Sequence, residues 1–116
     1  MLILINSSIV QAEENLTLFK DFGLTKSVNF FEEEKIHMNQ DCKDNEKNCL
    51  NMIKQRIAIM KKPTKKALKG NPASILCQEI GGHSIIYYDK DHNEYDYCKI
   101  AKYEMSSWDI YYNLKK

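Results

Sequence analysis

The chain has 116 residues, enough for one domain, with a formal net charge of +1 and 43% hydrophobic residues. A near-neutral total gives no general attraction to nucleic acid or to acidic partners. No stretch reaches the roughly 20 consecutive apolar residues that a membrane-spanning helix requires.

Charge is nevertheless segregated along the chain. Residues 13–46 carry an acidic excess that includes Glu32, Glu33 and Glu34, whereas no Asp or Glu occurs from Lys47 to Gln78. The first twelve residues form a short apolar run ending in Val10-Gln11-Ala12. Compact residues at the −3 and −1 positions suit a signal peptidase, so residues 1–12 read as a signal-peptide remnant cut before Glu13. The basic residue that normally precedes such a run is missing.

Residues 13–69 read as a helical N-terminal region. From Glu13 to Phe22, Leu16, Phe19 and Phe22 fall on one helical face, and Gly23 supplies a stop. Ser27 to Met38 reads as a further helical turn or two, opened by Ser27 and carrying Phe30, Phe31 and Ile36. The segment 39–48 is polar and rich in turn formers. From Asn48 to Met60, Leu50, Ile53, Ile57 and Met60 recur at helical spacing, and Pro63 ends the run by removing a donor and clashing with the preceding turn. Thr64 then caps a short continuation closed by Gly70.

This middle segment carries Lys54, Arg56, Lys61, Lys62, Lys65 and Lys66, a candidate contact for an anionic surface. Its apolar stripe would insert among lipid headgroups. The more frequent fate of such a stripe is to pack on its own domain.

Four cysteines in a short chain fit an oxidising compartment, and export to the periplasm or beyond is the expectation. None of their spacings matches the tight C-x-x-C knuckle of a zinc site, so no metal is expected. Within one continuous helix Cys42 and Cys49 would lie about 10 Å apart along the axis. A disulfide needs Cα atoms within about 7 Å, so pairing between these two requires Cys42 in a loop that folds back. Four cysteines leave three connectivities open.

Residues 70–116 are more legible. Asn71 is a strong helix N-cap, Pro72 sits where its missing N–H does no harm, and Gly81 offers the positive φ of a helix stop. Between them Ala73, Leu76, Cys77 and Ile80 share one face. His83–Tyr88 and Glu94–Ile100 read as two strands around a polar turn at 89–93. Trp108 stands in a last strand or helical turn and is the expected core anchor.

The order Asn71-Pro72-Ala73-Ser74, Cys77, Gly81-Gly82, hairpin, Cys98 and Trp108 resembles the family catalogued as domain of unknown function 333. Its members are small exported or lipid-anchored bacterial domains that carry a hemolysin label, without a lytic chemistry behind it. The resemblance covers roughly the last 46 residues. Ser106 and Ser107 stand where members often have acidic residues before the Trp, and Tyr112 stands near the place of an Arg. Met105 and Lys115 occupy about the positions of a further cysteine pair. The resemblance therefore implies Cys77 and Cys98 as the domain disulfide, cross-linking a helix to a small antiparallel sheet. A loop of that length contributes about 3 kcal/mol in the chain-entropy model.

The expected fold is thus α+β: N-terminal helices followed by a short capped helix packed on a small antiparallel sheet, stapled by disulfides. Catalysis is not expected. Cysteines held in disulfides are not thiolate nucleophiles, and His37, His83 and His92 have no triad pattern beside them. Asp89, Asp91, Glu94 and Asp96 surround the hairpin turn but lack a calcium-loop pattern and read as solvated. A binding module without cofactor fits better, with Tyr87, Tyr88, Tyr95 and Tyr97 as candidate partner contacts. The partner would be a protein or cell-envelope component, and nucleic acid is disfavoured for an exported chain.

Overall fold

The computed structural model describes residues 15–20, 26–60 and 71–114. The signal-peptide remnant over 1–12, the continuation 64–70, and Lys61, Lys62, Lys65 and Lys66 lie outside the described residues.

Leu16 and Leu18 alternate with Thr17 and Phe19, and this period of two governs the N-terminal segment. It forms strand β1 (Asn15–Phe19), antiparallel to β2 (Ser27–Glu33), with Leu16 opposite Phe30 and Leu18 opposite Val28. A two-residue turn returns the chain as β3 (Ile36–Met38). The helices expected over 13–22 and 27–38 are therefore strands. Leu16 and Phe19 satisfy helical spacing, but the chain instead uses the alternation that places Leu16, Leu18, Val28 and Phe30 on one sheet face.

The β2–β3 turn hides from sequence inspection. Glu34 and Lys35 take φ of 52° and 66°, conformations that two-residue hairpins normally assign to Asn and Gly. Lys35→Gly should raise stability by about 1 kcal/mol, since glycine adopts that φ without steric cost. A higher denaturant midpoint at unchanged m-value is the expected readout; an unchanged or lower midpoint contradicts the strained turn.

Asn39 then caps α1 (Gln40–Asp44), accepting from Cys42 N, and α2 (Glu46–Ala58) follows after a break at Asn45. The polar stretch 39–48 is mostly helical, and the break at Asn45 resolves the cysteine geometry. It brings Cys42 and Cys49 to a Cα separation of 5.4 Å, and they form a disulfide. Leu50 and Ile53 of α2 are buried, and Ile57 and Met60 pack on the same cluster. The apolar stripe of the basic segment faces the protein's own core.

Beyond this, α3 (Pro72–Glu79), β4 (His83–Tyr88), β5 (Glu94–Ile100), β6 (Tyr103–Ser106) and α4 (Ser107–Asn113) complete the chain. Asn71 caps α3 as expected, its Oδ1 accepting from Ala73 N at 2.9 Å and Ser74 N at 3.0 Å. Strand order is β1-β2-β3-β6-β5-β4, closed into an antiparallel barrel. Closure runs through Phe19 opposite Tyr88 and Met38 opposite Met105. This overturns the expected small sheet with helices before it. Strands from 13–69 and from 70–116 join in one barrel, which removes the open edges that a β4–β5–β6 sheet alone would expose.

Two apolar cores result. Inside the barrel Leu18, Phe30, Tyr87 and Tyr97 meet, with Phe30 and Tyr97 ring centroids 4.0 Å apart. Outside it, Met38, Cys98, Ile100 and Met105 pack against the helices. Strand β5 is thus covered on both faces, so Tyr97 and Cys98 are both buried although they point opposite ways.

Cys77 of α3 bonds to Cys98 of β5, with a Cα separation of 5.6 Å. The two glycines after α3 serve this junction differently. Gly81, at φ 92°, provides the left-handed stop. Gly82 lies against the disulfide: a Cβ there would overlap Cys98 Sγ and come within 2.9 Å of Cys77 Sγ and of Ile100 Cγ1.

Candidate functional site

Helix α4 sets one wall of a cleft. Ser106 is its N-cap, its hydroxyl accepting from Asp109 N at 3.3 Å. This holds Asp109 in the first turn, where its Oδ2 accepts from His37 N at 2.9 Å and lies 3.1 Å from His37 Nδ1. The double contact ties β3 to α4. Asp109 Oδ1 receives no hydrogen bond from any described residue.

Strand β5 supplies the opposite wall. Tyr95, Asp96 and Tyr97 line it together with Glu94, and Leu16 and Trp108 add apolar surface, around a cavity of about 360 Å³. That volume lies at the lower end of the range of small-molecule sites.

Asp96 forms the floor. It is 8% exposed, its Oδ1 accepting from Ser84 Oγ at 2.9 Å and Ser107 Oγ at 2.8 Å, and its Oδ2 from Asn71 Nδ2 at 3.0 Å. The carboxylate expected to be solvated at the hairpin is instead a buried hub joining α3, β4, β5 and α4. Of the other hairpin acids, Asp89 organises the turn, accepting from Asp91 N, Asn93 N, Asn93 Nδ2 and Tyr95 Oη. Those bonds, led by the Asn93 side chain, lower its pKa to about 2.

Tyr97 is 2% exposed, and among the described residues its hydroxyl has no hydrogen-bond partner. Burial, followed by the nearby Asp109 carboxylate, drives its pKa upward. Tyr87 is also buried, but its hydroxyl donates to Glu104 Oε1. Burial leads the upward shift of its pKa, reinforced by that contact.

The four tyrosines expected to form a partner surface therefore divide. Tyr87 and Tyr97 point into the barrel, Tyr95 lines the cleft, and half-buried Tyr88 lies opposite Glu94 on β4. Trp108 is not a core anchor. It is half-buried, stacks on Tyr112 at 5.4 Å and lines the cleft, while Ser107 and Ile110 of the same helix point inward. Of the basic residues, Lys54 is exposed, but Arg56 reaches inward and donates from Nη1 to Ile80 O at 2.8 Å. This contact serves the end of α3.

Compared with known protein families, curated proteins and solved structures, the chain has no match.

The sequence reading missed the His37–Asp109 contact and the role of Asp96. The first joins residues 72 positions apart, beyond any local pattern. One signal was present: Ser106-Ser107-Trp108-Asp109 has the S-x-x-D spacing of a helix start, which would have placed Asp109 in a first turn. Among the described residues no group of His, Cys, Asp and Glu is arranged to hold a metal ion. No described helix is long and apolar enough to cross a membrane. All four cysteines are disulfide-bonded, a state that persists in a non-reducing environment.

Proposed function

We propose that this chain is an exported, non-catalytic binding domain whose recognition site is the cleft between α4 and β5. The observation that carries the reading is the cleft itself: two large aromatic side chains, Tyr95 and Trp108, stand beside the carboxylates of Glu94 and Asp109 on walls fixed by hydrogen bonds and a disulfide. Rigid aromatic residues flanked by a few placed polar groups are what recognition sites commonly present. Two disulfides within 116 residues support an oxidising destination. A binding role is also supported by how the reactive side chains are engaged, since the cysteines are cross-linked and Ser106 caps α4. The pattern from Asn71 to Trp108, with its helix-to-hairpin disulfide, supports a relationship to the domain of unknown function 333 family.

The test is an NMR titration of the oxidised, ¹⁵N-labelled protein with a solubilised bacterial envelope fraction and, separately, with phosphatidylglycerol vesicles. Shifts centred on the Trp108 indole and the Tyr95 amide, lost in Trp108→Ala, are expected with the envelope fraction. Shifts confined to α2, appearing with vesicles and disappearing at high salt, would overturn the cleft in favour of a membrane-active basic helix.

A further inference from the structure

We infer that the cleft binds an organic cation, an ammonium or guanidinium group on a short apolar stem; this inference rests on the binding role proposed above.

Glu94, Asp96 and Asp109 line the cleft, no Lys or Arg is among its described lining residues, and His37 is its one basic side chain. Among the described residues Asp96 accepts only from the neutral donors of Asn71, Ser84 and Ser107. A cleft in which carboxylates outnumber basic groups carries a negative potential and attracts positive ligands.

Trp108 and Tyr95 supply aromatic surface, and a cation over such a ring is held by its quadrupole, most strongly by Trp. Leu16 offers apolar contact for a stem.

Tyr97, almost fully buried, lines the cleft and carries a hydroxyl without a hydrogen-bond partner among the described residues. A buried hydroxyl of this kind is costly to leave unmatched. An N–H group donating to Tyr97 Oη satisfies it, whereas an anionic ligand would meet the carboxylates that line the same cleft. The same cation can arrive as a free amine or as the Lys or Arg side chain of a partner protein.

The experiment follows Trp108 fluorescence and ¹H–¹⁵N shifts while oxidised protein is titrated with n-butylammonium, n-butylguanidinium, n-butanol and butyrate. N-acetyl-lysine methylamide and a lysine-containing peptide separate the free from the protein-borne source. The cations should give saturable shifts at Trp108, Tyr95 and Tyr97, with the neutral and anionic probes at least about tenfold weaker, as expected for charge-assisted hydrogen bonds. Glu94→Gln, a change at an exposed rim position, and Tyr97→Phe should each weaken the cation several-fold. Tyr97→Phe should do so without lowering the thermal midpoint, because the hydroxyl it removes holds no described partner. Equal shifts with butanol and butylammonium would overturn the cation while leaving the cleft as a site. Perturbation of the cleft by the envelope fraction but by none of the cations would do the same. No perturbation by any of them would overturn both readings.

Discussion

Replacing Asp96 by alanine is expected to lower the unfolding free energy by about 3–4 kcal/mol, since each buried donor left without an acceptor costs about 1–3 kcal/mol. Three donors lose their acceptor at once: Asn71 Nδ2, Ser84 Oγ and Ser107 Oγ. Ser107 is only 1% exposed, so water cannot readily replace the carboxylate there. Asn71 also caps α3 through Oδ1, so release of its Nδ2 loosens the helix start that carries Cys77. Asp96→Asn keeps an acceptor for one or two of the donors but turns an amide N–H₂ toward another, so it should lose roughly half as much. Against a total stability of roughly 5–15 kcal/mol for a domain of this kind, the alanine change is large. Chemical denaturation measures it as a lower midpoint at constant m-value. A shift worth less than about 0.5 kcal/mol, the usual effect of a surface substitution, would show that the carboxylate is solvated after all.

The second large effect is expected from the Cys77–Cys98 bond. It closes a sequence separation of 21 residues between α3 and β5, and its loss through paired alanine substitution should cost about 3 kcal/mol. The Cys42–Cys49 bond closes only 7, so its expected contribution is smaller, about 2.5 kcal/mol. Reducing both should bring the domain close to global unfolding, because the two contributions together approach the stability of a small domain. The disulfide also explains why a second glycine follows the helix stop. A Cβ on Gly82 collides with both sulfurs, so Gly82→Ala should be destabilising in the oxidised protein by about 1–3 kcal/mol, the range for overpacking. With Cys77 and Cys98 replaced by alanine that penalty should shrink without vanishing, because Ile100 Cγ1 still stands in the way. A double-mutant cycle in unfolding free energy reads this coupling directly. Strict additivity of the two changes would refute the packing account.

The polar hub and the disulfide share a location. Asp96 and Cys98 lie two residues apart on the helix-facing side of β5, so one strand face carries both the polar hub and the covalent brace. Between them Tyr97 faces the barrel interior and the cleft. The proposed recognition cleft therefore borders a strand held by both, which would keep its aromatic and acidic groups in fixed positions for a ligand.

How much of this could be read from residues alone depends on the range of the interactions involved. Helix α3 was legible from end to end because its signals are local. The Asn71 side chain bonds Ala73 N and Ser74 N, and Gly81 relieves a single φ. The β4–β5 hairpin was legible for a similar reason, its turn bonds all lying within 89–95. The first half of the chain misled because Leu16, Phe19, Phe30 and Phe31 fit two periodicities, and the turn that would have marked a hairpin uses Glu34 and Lys35 in place of Asn and Gly. Partner strands decide between such periods. Val28 and Phe30 become inward residues only because Tyr87 and Tyr97, 57 to 69 positions later, provide the surface they cover. Barrel closure, the burial of Asp96, the displacement of Trp108 from the core and the His37–Asp109 contact are all of this kind. Each joins segments distant in the chain, and such a contact is stabilised only once the fold has already brought both sides together.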